Sequence, residues 1–151
     1  MRDVGRLVPI LMAEDDAEDR FLTRDAFEAC RLLNPLHFVE DGEELLDFLK
    51  RRGKYGAPIE VPTPGLILLD LKMPRMSGFE ALEVIKKDPE LRSIPVVVMT
   101  TSSAEEDVIR SYDLGVSGYV TKPVSFDGLV QAVQALGRYW FEIVDLPRNH
   151  A

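Results

Sequence analysis

At 151 residues the chain fits one domain, and its 46% hydrophobic and 29% charged residues exclude a disordered or fibrous class. Eighteen basic residues against 26 acidic ones give a net charge of −8, so a nucleic-acid backbone would be repelled over most of the surface. No stretch approaches the roughly 20 apolar residues of a membrane span, and Met1 to Pro9 lacks the apolar run of a secretory leader.

Val8 to Ala13 is a continuous apolar run, the pattern of a strand covered on both faces, and it ends in Glu14-Asp15-Asp16. Asp16 suits the N-cap of a first helix, on which Phe21, Leu22, Phe27, Cys30 and Leu33 share a broad apolar face. Cys30 is the only cysteine; it leaves no intramolecular disulfide, reads as a small core residue and fits a cytoplasmic location. Leu36 to Val39 predicts a second strand, and Leu45, Leu46, Phe48 and Leu49 a second helix after Asp41-Gly42. That helix ends in Lys50-Arg51-Arg52, cations suited to a C-terminal dipole rather than to a nucleic acid or a membrane. Arg52 to Gly65, rich in Gly and Pro, predicts a long exposed loop.

Leu66 to Leu69 predicts a third strand, ending at Asp70. Ser77 with Glu80 has the spacing of a capping box for a helix carrying Leu82, Val84 and Ile85. Ile94 to Met99 predicts a fourth strand, ending in Thr100-Thr101, and Ser103 with Glu106 repeats the capping pattern. Val116 to Val120 predicts a fifth strand, ending in Thr121-Lys122, and Ser125 caps a last helix running from Phe126 towards Asp145. Strand followed by helix, five times over, predicts an α/β fold: a doubly wound five-stranded parallel sheet with helices on both faces and a ligand site at the carboxyl ends of the strands.

In such a sheet Glu14-Asp15-Asp16, Asp70, Thr100-Thr101 and Thr121-Lys122 converge on one rim. Several carboxylates crowd there beside a single ammonium, and their repulsion calls for a hard divalent cation; Mg²⁺ accepts one or two carboxylates and leaves room for a phosphate oxygen. Asp70 is then placed to act as a nucleophile, Lys122 to hold a phosphoryl oxygen and Thr100 to donate to another. Asp16 is read as a helix cap, Thr101 and Ser102 as loop groups, and His37 and His150 as solvated side chains without a phosphotransfer role.

These residues, in order, resemble the response-regulator receiver family: Glu14-Asp15, then Asp70-Leu71-Lys72-Met73-Pro74-Arg75-Met76-Ser77-Gly78, then Met99-Thr100, then Gly118-Tyr119-Val120-Thr121-Lys122-Pro123, with matching intervals. The resemblance implies a flavodoxin-like sheet of strand order 2-1-3-4-5 and one receiver domain over residues 1–151. It implies Asp70 as phosphoacceptor for a sensor histidine kinase, and Mg²⁺ held by Asp15, Asp70 and the Lys72 backbone carbonyl, with Glu14 acting through water. It further implies Lys122 as the phosphate-binding lysine, with a cis bond to Pro123. Thr100 is the switch hydroxyl, pulled inward on phosphorylation, and Tyr119 the switch aromatic that reshapes the surface of the fourth helix, fifth strand and fifth helix. Such a protein is a signalling switch rather than an enzyme, with slow self-dephosphorylation tuned by Lys72 and Ser102.

A haloacid-dehalogenase-like phosphatase is the competing class, but it wants an aspartate two positions after its nucleophile, where Lys72 stands. Beyond Phe126, Leu129, Val130, Val133, Gly137, Trp140 and Val144, the last helix carries a second apolar stripe of Tyr139, Ile143 and Leu146. Residues 139–151 read as an extension of that helix, and the second stripe predicts a homodimer. Together with the long loop before Gly65, this tail is similar to stand-alone receivers that partner bacterial phytochromes.

Overall fold

The apolar runs become a sheet in the computed structural model, which describes residues 7–139. The elements are β1 (Ile10–Ala13), α1 (Ala17–Ala29), β2 (Leu36–Val39), α2 (Gly42–Lys50), β3 (Leu66–Leu69), α3 (Gly78–Lys87), β4 (Val96–Thr100), α4 (Glu105–Asp113), β5 (Gly118–Thr121) and α5 (Phe126–Leu136). All strand pairs are parallel, in the order β2-β1-β3-β4-β5. Ala13 lies level with Leu69 and Thr100 with Thr121, so the polar residues that follow β1, β3 and β5 emerge at the same edge. Across those ends, Asp70 N–H donates to the Ala13 carbonyl at 3.1 Å and Lys122 N–H to the Thr100 carbonyl at 2.7 Å.

Alternation along the strands feeds two cores. Leu11, Ala13, Ile67, Leu69, Val96 and Val98 meet Leu45 and Leu46 of α2 and Ala81, Leu82 and Ile85 of α3. Ile10, Met12, Leu66, Leu68, Val97 and Met99 meet Ala26 and Phe27 of α1 and Val133 and Leu136 of α5. Each such Leu, Ile or Val contributes about 1.5–3 kcal/mol by leaving water, which makes the sheet the rigid base of the rim.

Three helices start on the cap the pattern indicates, and α2 starts at Gly42, one residue earlier than expected, on Asp41. Asp16 accepts from Glu18 and Asp19 N–H, Asp41 from Glu44 N–H, and Ser125 from Gly128 N–H, while Ser77 and Glu80 close a complete capping box. α4 departs from expectation: its N-cap is Ala104, with no side-chain bond, and the Ser103–Glu106 spacing forms no box. Ser102 acts there instead, donating to Asp107 at 2.6 Å and accepting from Ala104 N–H at 3.3 Å. The broad apolar face of α1 is also narrower than expected. Phe21 is 63% exposed because, six residues from Phe27, it sits well round the helix, and Leu33, 81% exposed, lies past the helix end, where Arg31 turns the chain at φ 57°.

The loop before Gly65 carries one 3₁₀ turn, Gly53–Tyr55. It is anchored rather than wholly exposed: Tyr55 donates to Glu44 and packs edge-on against Phe48 at 5.0 Å between ring centres. His37, expected to be solvated, is half-buried and its ring is tilted against that of Phe48, 5.6 Å between centres. Among the described residues Ala57–Pro58 is the cis peptide, and Lys122–Pro123 is trans. Also among them, no helix is long and apolar enough to cross a membrane. The continuation of α5 to Asp145, with Trp140, Ile143, Val144 and Leu146, lies outside the described residues.

Candidate functional site

The sheet register delivers Glu14, Asp70, Thr100 and Lys122 to one point. Asp70 is buried, and its carboxylate is used on both oxygens: Oδ1 accepts from the Thr100 hydroxyl at 2.9 Å and from Lys72 N–H at 3.1 Å, and Oδ2 from Lys122 Nζ at 3.0 Å. Lys122 Nζ also donates to Glu14 Oε1 and, at 2.8 Å, to Asp19 Oδ2. One ammonium therefore faces three carboxylates. Burial pushes the Glu14 carboxyl up to about 7, against the pull of Lys122 and of Asp16 N–H, and the nearby Asp70 adds to the rise. Burial also works against the Lys122 charge, but its bonds to Asp19, Glu14 and Asp70 outweigh that and hold it above the usual lysine range.

This imbalance of charge is what a cation relieves. Glu14, Asp15 and Asp70 each offer a carboxylate oxygen, all within 4.8 Å of one another, with Asp15 exposed at the mouth. A hard divalent ion with oxygen ligands fits this donor set, since it takes a few carboxylates and keeps waters on its open side.

Asp15, Asp70, Glu14, Thr100 and Lys122 are thus brought together. Lys72 borders them through its backbone, with its side chain exposed. Tyr119 stands one step away, half-buried, its hydroxyl donating to the Ser102 carbonyl at 2.8 Å. Burial raises its pKa. The Thr100 side chain is fully buried and bonded to Asp70, which places its hydroxyl within reach of any group built on that carboxylate. Asp16 serves its helix as a cap, and Thr101 is exposed.

Three contributions were not anticipated. Asp19, in the first turn of α1, is the third carboxylate on Lys122; the only hint is its place three residues after the cap, on the face that looks back over the strand end. Arg20 donates to the Glu14 carbonyl at 2.8 Å and so holds the acidic turn from behind. Gly78 lets α3 begin against the phosphoacceptor candidate, because a Cβ there would stand 2.2 Å from the Asp70 carbonyl oxygen.

Residues 10–134 match the family described as the response regulator receiver domain. The chain belongs to the receiver domain family. Its relatives include response regulator Rcp1 of Synechocystis sp., 41% identical over 138 residues, which span 91% of this chain and 92% of that one. The Mn²⁺-bound form of Rcp1 superposes with a TM-score of 0.82 at 39% identity, covering 90% of this chain and 96% of that one. The phosphorylated cyanobacterial phytochrome response regulator RcpA gives 0.82 at 37% identity, covering 89% and 94%, and the bacteriophytochrome response regulator RtBRR gives 0.74 at 47%, covering 89% and 81%. The receiver fold and its strand order are therefore those of this chain, and the dehalogenase reading receives no support. Receivers are signalling switches phosphorylated on aspartate, not turnover enzymes, and an acidic pocket for a divalent metal is present in this one.

Proposed function

We propose that this receiver takes a phosphoryl group from a sensor histidine kinase onto Asp70 with the help of Mg²⁺. The observation that carries the reading is the meeting of Asp70 with Lys122, Thr100, Glu14 and Asp15 at one strand-end rim. In this reading Asp15, Asp70 and the Lys72 carbonyl hold the ion, with Glu14 acting through water. Bound there, Mg²⁺ supplies positive charge against the developing charge on the phosphoryl oxygens.

The chain's own residues do the rest. An Asp70 carboxylate oxygen forms the new O–P bond while the bond from phosphorus to the kinase histidine breaks, and the imidazole keeps the bonding pair. Lys122 and Thr100, already on Asp70, are in reach of the incoming oxygens, and Lys122 exchanges one of its three carboxylate bonds for a phosphoryl oxygen. With Asp70 converted to an acyl phosphate, the bonds of Thr100 and Lys122 to it are redrawn. Tyr119 and its Ser102 partner carry that change to α4, β5 and α5. Slow hydrolysis of the acyl phosphate resets the switch, with Lys72 and Ser102 at the positions that tune water access.

The similarity to RcpA and RtBRR, which are phytochrome and bacteriophytochrome response regulators by description, supports a phytochrome-type kinase as the partner. A cytoplasmic location, no nucleic-acid partner and a homodimer through the last helix complete the reading; light scattering of both phosphorylation states tests the dimer.

The decisive experiment is labelling with acetyl phosphate. Mg²⁺-dependent incorporation of one phosphoryl group per chain is expected, lost in Asp70→Asn and on chelation. Undiminished labelling of Asp70→Asn would reject the assignment.

A further inference from the structure

The geometry points to Arg75 and Asp41 as a latch that positions the Lys72 carbonyl, and with it the affinity of the site for Mg²⁺. This inference rests on the metal-assisted reading above and adds two residues to it that touch neither the ion nor the phosphoryl group.

The segment 70–78 is fastened at three places. At its start, Lys72 N–H is pinned to Asp70 Oδ1 at 3.1 Å. At its end, Gly78 N–H donates to the Leu71 carbonyl at 3.0 Å, and only a glycine tolerates the approach to the Asp70 backbone. Between them, the loop is tied sideways to the start of α2. Arg75 Nε and Nη2 both lie 2.8 Å from Asp41 Oδ2, and Gly42 N–H donates to the Met76 carbonyl at 2.9 Å. A Cβ on Gly42 would stand 2.5 Å from that carbonyl oxygen, so the closeness of this tie depends on glycine.

The Arg75–Asp41 pair is not an ordinary surface ion pair. Asp41 has a side chain only 5% exposed and spends its other oxygen capping α2 through Glu44 N–H at 2.8 Å. It is therefore a fixed anchor. Arg75 adopts φ 63°, the left-handed region a side-chain-bearing residue seldom takes, at the point where its guanidinium meets Asp41. With Leu71 tied to Gly78, Lys72 to Asp70 and Arg75 to Asp41, the peptide carrying the Lys72 carbonyl has little freedom left. Residues that orient a metal ligand from behind tune affinity as ligands do.

Calorimetric titration of Mg²⁺ into the whole chain tests this, with metal-free unfolding measured alongside. Asn caps a helix as well as Asp does, so Asp41→Asn removes the anchor's charge and keeps the cap. Arg75→Ala and Asp41→Asn are each expected to weaken Mg²⁺ binding about 10-fold, with metal-free unfolding midpoints close to that of the parent. The double variant should lose no more than either single change, and Arg75→Lys should recover part of the loss. Arg75→Gly, which removes the side chain while relieving the left-handed backbone, guards against a variant weakened only by strain. Parental affinity in Arg75→Ala and Arg75→Gly, or losses that multiply in the double variant, would overturn the latch alone, provided binding still depends on Asp15. If the parent binds Mg²⁺ without sensitivity to Asp15→Asn, the site reading itself fails and takes the latch with it.

Discussion

α3 and α4 follow consecutive strands and border the same site, yet they are held in opposite ways. α3 begins in a complete capping box and buries Gly78, Ala81, Leu82 and Ile85 of its ten residues. α4 has no side-chain cap and buries only Ser111 of its nine, while Ile109 and Tyr112 are 53% and 51% exposed. What fastens α4 is polar and peripheral: Ser102 to Asp107, Ser111 to the Asp107 carbonyl, Arg110 stacked 4.1 Å over the Phe79 ring, and Tyr119 to Ser102. Contacts of this kind contribute about 1 kcal/mol each, which an acyl phosphate can overcome, whereas a packed apolar face is not so easily moved. The rim is thus divided into a stationary half, carrying the acids and the 70–78 segment, and a half held only by polar contacts.

Truncating one apolar residue on each helix tests the division directly. Leu82→Ala, at a fully buried site, is expected to destabilise the protein by about 2–5 kcal/mol in urea unfolding. Ile109→Ala should stay within about 0.5 kcal/mol of the parent. Hydrogen exchange should agree, with α4 amides opening well before those of α3. Similar costs at the two positions would erase the distinction between a fixed and a movable half.

Much of this division was legible beforehand, and the exceptions have physical causes. β2 and β3 match their predicted runs residue for residue, because each is stopped by Pro35 or Gly65 on one side and by Glu40 or Asp70 on the other. The rim was legible because parallel strands must end together, so whatever follows Ala13, Leu69 and Thr121 is forced into proximity. Asp19 and the Arg75–Asp41 pair were not, because they depend on how a helix or a loop from another crossover leans over the rim, which no local spacing encodes. Thr101-Ser102-Ser103 offers three hydroxyls in a row, and the pattern alone does not choose which one serves α4. Phe21 shows the limit of a helical pattern: a broad stripe can be drawn through it, but α5 and the sheet cover only the narrower strip of Thr23, Ala26 and Phe27.

A smaller effect separates the two helix starts. Ser77→Ala removes the hydroxyl that accepts from Glu80 N–H, and its loss is expected to cost about 1 kcal/mol. Ser102→Ala loses its bonds to Asp107 and from Ala104 N–H, but both partners reach water, so its cost should not exceed that at Ser77. A larger penalty at Ser102 than at Ser77 would mean that α4 relies on its polar fastening more heavily than its packing suggests.

The smallest expected effect concerns acid. Burial tends to raise the Asp41 carboxyl, but Glu44 N–H and the Arg75 guanidinium beside it prevail and hold it below the usual 3.8. A carboxylate with a depressed folded pKa binds fewer protons in the native state, so its stabilisation is fully present above 3.8 and fades as pH falls through the lower folded value. Asp41→Asn has no such titration. The gap in thermal midpoint between parent and Asp41→Asn should therefore be constant from neutral pH down to about 4 and narrow below it. The exposure of Arg75 to solvent keeps this gap smaller than the Ser77 effect. If the gap stays constant to pH 2.5, the carboxylate charge contributes nothing to the stationary half, and the tie between α2 and segment 70–78 rests on Gly42 and Met76 alone.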